Sequence, residues 1–235
     1  MKTLVMGIVN VTPDSFSDGG KYFSPAEAVR RAKNMLDEGA AIIDVGGEST
    51  RPGAEPVSWK DEWGRIGAVV EELAGICGKR GALLSVDTYH PETAKLALDA
   101  GAGMINCVYP EPVEEMARLC AAKGAFLVVP AKANVPEDFP RNKLYLDPMV
   151  GFGTTREEDL ALLKSIPELA AKGNVLVGAS RKRIVKKLTG EKTTGKNVGG
   201  NLGIAIWCAM NGASAVRVHD VQETFQALKV LEALA

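Results

Sequence analysis

Three side chains with carbonyl oxygens, Asp87, Asn106 and Asp147, each end a short apolar run of the chain. Two carboxylates and an amide set close together can accept from, and donate to, the edge of a polar heterocycle; amidine-like N–H groups on a pyrimidinone suit the aspartates. Lys182, in "GASRK", can donate to a ring carbonyl or ring nitrogen. Arg217 and His219 stand two apart in "RVHD" and so face the same side of a strand. They offer a forked donor and a second donor at one point, as a diphosphate requires. Thr50 and Arg51, in "GGESTRPG", add further donors. An Asp or Asn in a loop often serves only to make a turn, and at any one position that reading is about as good. Seven strand ends bearing such residues together point to a shared site.

The elements that must position them alternate along the whole chain. Strands are predicted at Leu4–Val9, "AAIIDVG", "ALLSVD", "GMIN", "AFLVV", "LYLD", "VLVG" and "SAVRV". Helices are predicted over "SPAEAVRRAKNMLDEG", Trp59–Ala74, Pro91–Ala100, Glu111–Lys123, "TTREEDLALLKSI" and Gln222–Leu234. Ser24 with Glu27, and Thr155 with Glu158, are spaced as capping boxes, and Pro25 suits a first helical position. "NVGGNLGIAIWCAMNGA" is apolar enough for a buried helix. Short buried strands joined by helices imply a parallel sheet, and eight of them favour a closed (β/α)8 TIM barrel of the α/β class over an open doubly wound sheet. Between Val129 and Leu144 stand "PAKANVPEDFPRNK", with three prolines. That composition opposes a regular helix, so the fifth helix is expected to be missing or reduced to a turn. In such a barrel the catalytic loops follow the C-terminal strand ends, where the residues above fall.

The 235 residues, 46% of them hydrophobic, suffice for one sizeable core, and no linker or repeat divides them, so residues 1–235 read as a single domain. A formal net charge of −1 excludes a nucleic-acid or membrane-surface partner on overall charge and makes any anion site local. No apolar run reaches a membrane span, and "MKTLVMGIVN" lacks the long apolar core and cleavage site of a signal peptide. The four cysteines, Cys77, Cys107, Cys120 and Cys208, form no CxxC pair, and only two histidines are present. Reduced thiols in the cytoplasm and no zinc site are the expectation.

The motifs "MGIVNVTPDSFSDGG", "IIDVGGESTRPGA", "SVDT", "LDP" with "GFG", "VGASRK" and "RVHDV" resemble dihydropteroate synthase in the same order, from Met6 to about Glu223. The resemblance implies joining of 4-aminobenzoate to 7,8-dihydropterin-6-ylmethyl diphosphate, with release of diphosphate, assistance from Mg2+, and a homodimer. It implies a pterin pocket of Asp87, Asn106, Asp147 and Lys182. Arg217 covers the pterin and touches the diphosphate, His219 binds the diphosphate, and Asn10 is the magnesium ligand. Thr50 and Arg51 lie near the leaving group, and Phe16, Pro52, Phe152 and Lys182 wall the aminobenzoate site. Asp14, Ser17 and Asp18 fall on a first loop that closes over the site, Asp18 with the catalytic groups Asp87, Lys182 and Arg217. That explains a lone Phe16 among ten polar and glycine positions: a lid buries it when substrate is bound.

The chain departs from this pattern at several places. Cys107 stands where the family usually has Asp, "VVPAKA" replaces Met-His-Met after the fifth strand, Thr154 replaces a lysine, and Arg183 replaces a small hydroxyl residue. Two other readings fit a pterin barrel: a non-catalytic pterin-binding protein, and a methyltetrahydrofolate-dependent methyltransferase. The intact "NVTPDSFSDGG" and "ESTRPG" favour the synthase. No Ser-His or Cys-His signature calls for a protein nucleophile. Cys77, Cys120 and Cys208 read as core fillers, Trp207 and Met210 as core or subunit contacts, and "RKRIVKK" as a solvated helix face from which only Lys182, with Arg181 less firmly, belongs to the site. The apolar Ile204–Ala209 stretch and the last helix suit a dimer face.

Overall fold

The structure, a computed structural model, describes residues 3–12, 24–48, 55–193 and 195–234. Eight strands are present: β1 Leu4–Asn10, β2 Ile42–Gly46, β3 Leu83–Asp87, β4 Met104–Asn106, β5 Phe126–Pro130, β6 Leu144–Asp147, β7 Asn174–Val177 and β8 Ala215–Val218. They pair in chain order, all parallel, and β8 returns to β1, closing the barrel. Helices α1 Pro25–Asp37, α2 Trp59–Lys79, α3 Pro91–Asp99 and α4 Val113–Lys123 follow the first four strands. After β6 come α5 Arg156–Lys164 and α6 Ile166–Ala170; after β7, α7 Arg183–Thr189 and α8 Val198–Met210; after β8, α9 Val221–Leu234. Between β5 and β6 the chain makes a single 3-10 turn, Arg141–Lys143, so the proline-rich crossover lacks its α-helix as the sequence implies.

Local sequence accounts for the helix starts. Ser24 accepts from Glu27 N while the Glu27 carboxylate accepts from Ser24 N, and Thr155 and Glu158 repeat this at α5. Each box satisfies two of the amides that a helix start leaves without partners. α1 turns Ala28, Val29, Ala32 and Met35 inward, one stripe at helical spacing. One expectation needs correction. α8 is not a buried helix: it buries Asn201, Ala205 and Cys208, while Trp207 and Met210 are 47% and 68% exposed. A helix in the outer ring covers the barrel with one face only, and this one is apolar on both. Among the described residues no helix is long and apolar enough to cross a membrane.

Strand alternation divides the core in two. Val5, Val9, Ile43, Val45, Val86 and Ile105 face outward into the layer beneath the helices. Met6, Ile42, Met104, Val128, Tyr145, Leu176 and Ala215 face inward and fill the lower barrel. Above that plug the inward positions become polar. Asn10, Gly46, Asp87 and Asn106 lie in register across β1 to β4 at the mouth. Asp147 lies beside Pro130 across β5 and β6.

Gly39, in the turn from α1 to β2, has φ +105, and a Cβ there would lie 2.6 Å from the Phe225 ring. Both the backbone and the packing against α9 exclude a side chain. Gly39→Ala is expected to cost about 2 kcal/mol or more, from disfavoured backbone and overpacking together. Urea denaturation measures this, and an unchanged midpoint contradicts it.

Candidate active site

The mouth is organised around one buried guanidinium. Arg217, inward on β8, donates through Nε to Asp44 Oδ2 and through Nη2 to Asp87 Oδ2, both at 2.6 Å. Asp44, fully buried on β2, also accepts from Ser85 Oγ at 2.6 Å and from Asn106 Nδ2 at 3.2 Å. The amide of Asn106 is thereby oriented, and its Oδ1 is left buried without a hydrogen-bond partner. It is an unsatisfied acceptor at the barrel mouth, of the kind that calls for a partner.

Electrostatics follow from this packing. Burial pushes Asp87 up to about 7, with Arg217 opposing and Asp44 reinforcing. Burial also raises Asp147, against Lys182 and the Met149 amide, which donates to Asp147 Oδ1 at 2.6 Å. Burial lowers Arg217, but Asp44 and Asp87 outweigh it, and the guanidinium stays charged well above its ordinary range. Lys182 is pulled down to about 8 by burial, with Asp147 opposing. Its Nζ donates to Val150 O at 2.6 Å and sits 4.1 Å from the centre of the Phe152 ring. Acids held up and a lysine held down, at one end of the barrel, make this the candidate functional site.

Of the residues singled out from sequence, Asp87, Asn106, Asp147, Lys182 and Arg217 converge here, Asn10 and His219 end their strands at the same rim, and Phe152 stacks on Lys182. Asp14, Phe16, Ser17, Asp18, Thr50, Arg51 and Pro52 lie outside the described residues. Arg181 stands apart: its Nη2 pairs with Asp220 Oδ1 at 2.5 Å and its N–H donates to Asn201 Oδ1, an arrangement that fixes the loop instead of facing a ligand.

Sequence reasoning passed over Asp44. One aspartate inside "IIDVG" was the available signal, because a charge within a buried strand must have a partner. A second pair was also missed: His219 Nδ1 lies 3.2 Å from Ser180 Oγ, so a Ser–His contact exists where none was legible across 39 residues. Ser180 Oγ also accepts from His219 N at 3.3 Å, so the hydroxyl steadies the histidine. Cys107 turns outward into the helix layer, with Sγ donating to Tyr109 O at 3.3 Å. The cysteine in place of aspartate therefore lies behind the pocket wall. Burial pushes its thiol up to about 11, away from nucleophilic use.

Comparison with known proteins agrees with this geometry. The sequence pattern of the family described as "Pterin binding enzyme" matches residues 6–145 and 131–219. A dihydropteroate synthase of Neisseria meningitidis serogroup B is 38% identical over 272 aligned residues, covering 99% of this chain and 93% of that protein. The solved structure of Xanthomonas albilineans dihydropteroate synthase with 4-aminobenzoic acid superposes with a TM-score of 0.88 at 36% identity, covering 99% of this chain and 93% of that one. That of Anaplasma phagocytophilum with bound 6-hydroxymethylpterin-monophosphate gives 0.88 at 29% identity over the full length of both chains.

Removing Asp44 takes one of the two carboxylates from Arg217 and frees the Ser85 and Asn106 donors. Asp44→Ala is expected to cost about 3–5 kcal/mol, against about 1 kcal/mol for Ser85→Ala, which deletes a single hydrogen bond. Equal losses in chemical denaturation contradict the central place given to Asp44.

Proposed function

We propose, for a chain that belongs to the pterin-binding enzyme family and aligns end to end with its dihydropteroate synthases, that it condenses 4-aminobenzoate with 7,8-dihydropterin-6-ylmethyl diphosphate. The products are 7,8-dihydropteroate and diphosphate, a step of folate biosynthesis. The observation that carries this reading is the convergence of Asp87, Asn106, Asp147, Lys182 and Arg217 on one rim above an apolar plug.

The pocket floor has more acceptors than donors, which suits the N–H-rich edge of a pterin. Asp147 and the free Oδ1 of Asn106 accept from that edge, and Asp87 joins them as its share of Arg217 is given up. Lys182 donates to the ring carbonyl or ring nitrogen, and the stem of Arg217 lies along the ring face. His219, steadied by Ser180, meets the diphosphate at the outer end with Arg217. These donors offset the charge that grows on the leaving group as its C–O bond breaks. The nearby carboxylates stabilise the cationic methylene left on the pterin, and the neutral amine of 4-aminobenzoate attacks it. Phe152 and Lys182 wall the side from which the amine arrives. No protein nucleophile takes part. Thr50, Arg51, Pro52, Phe16, Ser17 and Asp18 complete the leaving-group and aminobenzoate sides on the strength of family likeness.

Magnesium belongs to this proposal, with Asn10 as its protein ligand. A Cβ on Gly46 would lie 3.9 Å from Asn10 Oδ1 and 3.8 Å from Asp87 Oδ2, so bare backbone leaves room between two hard oxygen donors. Among the described residues no three His, Cys, Asp or Glu are placed to hold a metal. A single neutral oxygen suits Mg2+ that keeps its waters and the substrate phosphates as its other ligands. When bound, the ion would neutralise charge on the departing diphosphate. A homodimer is proposed through α8 and α9, supported by exposed Trp207, Met210, Val230 and Leu234. Four buried, unpaired cysteines support a reducing, cytoplasmic setting.

Purified protein given both substrates and magnesium is expected to release diphosphate and form dihydropteroate. Binding of the pterin without release favours a non-catalytic pterin protein. Asp87→Asn is expected to lower kcat/KM by about 10²-fold or more with the fold intact, and near-normal turnover contradicts the pocket. The pH profile follows from the two shifted groups. Ionised Asp87 offers both oxygens as acceptors, whereas protonation turns one into a donor, so activity falls as pH drops through about 7; Lys182 carries its charge only when protonated, so activity falls as pH rises through about 8. A narrow bell in kcat/KM for the pterin diphosphate is expected, and a profile flat across this range contradicts the assignment.

A further inference from the structure

We propose that Asp159, on α5 and outside the pocket, is a positioning residue for the 4-aminobenzoate side of the site, acting through the turn that carries Phe152; the inference rests on the reaction assigned above. The turn from Met149 to Thr154 is an awkward one. Met149 has φ 66, Gly151 φ 80 and Gly153 φ 69. A left-handed methionine costs about 1–2 kcal/mol, so surrounding contacts must hold the turn in this shape. The approach to Lys182 is also close, since a Cβ on Gly151 would lie 2.7 Å from Lys182 Cδ.

Two sets of contacts hold the turn. On the pocket side, Asp147 Oδ1 accepts from Met149 N at 2.6 Å and Lys182 Nζ donates to Val150 O at 2.6 Å. Both of those side chains are the ones a bound pterin draws upon, so substrate competes for these ties. On the far side, Asp159 Oδ1 accepts from Gly151 N at 2.7 Å and from Thr154 Oγ1 at 2.5 Å. Arg183 also donates to Thr154 O from the next loop. Asp159 is fully buried, and its Oδ2 has no hydrogen-bond partner. Its placement is not a helix cap, because Thr155 and Glu158 already close the start of α5. The carboxylate therefore spends its hydrogen bonds on the turn alone. Thr154 and Arg183, two of the chain's departures from the family pattern, meet at this same point. When the pterin occupies Asp147 and Lys182, the far-side ties of Asp159 and Arg183 remain, and that of Asp159, which reaches both Gly151 and Thr154, keeps Phe152 where the second substrate packs.

Steady-state kinetics in both substrates tests this. Asp159→Ala is expected to raise KM for 4-aminobenzoate about tenfold, with KM for the pterin diphosphate changed less than about twofold. Asp159→Asn keeps an oxygen that accepts the same two bonds, and is expected to restore most of the lost affinity. Thr154→Val removes the hydroxyl that donates to Asp159 and accepts from Gly151 N at 3.1 Å but leaves the Gly151 N–Asp159 bond, and is expected to raise the same KM about threefold. Thermal melting runs alongside; if Asp159→Ala does not fold, the Asn and Val variants decide. A proportional rise in both KM values, no rise in either, or an Asn variant as impaired as Ala overturns the proposal. Absence of turnover in the unaltered protein refutes the assigned reaction instead, so the two failures are distinguishable.

Discussion

A guanidinium inside a barrel is the constraint from which the rest of this structure follows. Removing an ion from water costs several kcal/mol, and attraction in the interior repays it only with excellent geometry. Arg217 meets that condition by taking one carboxylate on each arm, Asp44 from β2 and Asp87 from β3. The closure of β8 onto β1 makes this possible, since an open sheet would place the last strand far from the second and third. The ion group and the barrel thus depend on each other. Its composition also has a consequence for binding. Two carboxylates share one cation, and Asp147 and Lys182 add one charge of each sign. The floor is left with an excess of acceptors, and a ligand edge rich in N–H groups answers that excess, whereas a second anion does not. His219, just past the end of β8, lies outside that excess.

Strand alternation lets the chain change outside without disturbing this floor. Asn106 points in and Cys107 points out, so the cysteine alters helix packing while the pocket keeps its amide. The missing helix between β5 and β6 belongs to the outer ring as well. On β5, Val128 belongs to the inward apolar plug and Pro130 stands beside Asp147. Cys107 and the lost crossover therefore fall on the outer face, whereas Thr154 and Arg183 meet at the turn that carries Phe152.

What could be read from the sequence, and what could not, divides along physical lines. Strands, capped helices and the lost crossover were legible because each has a local cause: buried apolar runs, Ser24 and Thr155 at capping spacing, three prolines in one short stretch. The polar residues at strand ends were legible because alternation carries them to one rim. Asp44 was not, because a single aspartate within a strand takes its meaning from Arg217, 173 residues away. The Ser180–His219 contact was hidden for the same reason. Helix α8 misled in the other direction: its composition reports how apolar it is, not how many of its faces are covered. Asp159 was passed over because an acid in a first helical turn has an ordinary explanation in the helix dipole.

The site's two sides are built differently, and this bears on how it handles two substrates in turn. The proposed pterin floor takes Asp87, Asn106, Asp147 and Arg217 from strands and Lys182 from the loop before α7; Asp44, Asn106 and Arg217 are locked by one another before any ligand arrives. The aminobenzoate wall sits instead on a turn with three left-handed residues, stacked against a lysine that burial has brought close to losing its proton. On the proposed reading the first substrate meets a floor largely set in place, with the Arg217–Asp87 contact the one that yields. Occupying it draws on Asp147 and Lys182, the same groups that tie the adjacent turn. On the proposed assignments the two sides are linked through shared hydrogen-bond partners, Asp147 and Lys182, and that link requires no movement of the barrel.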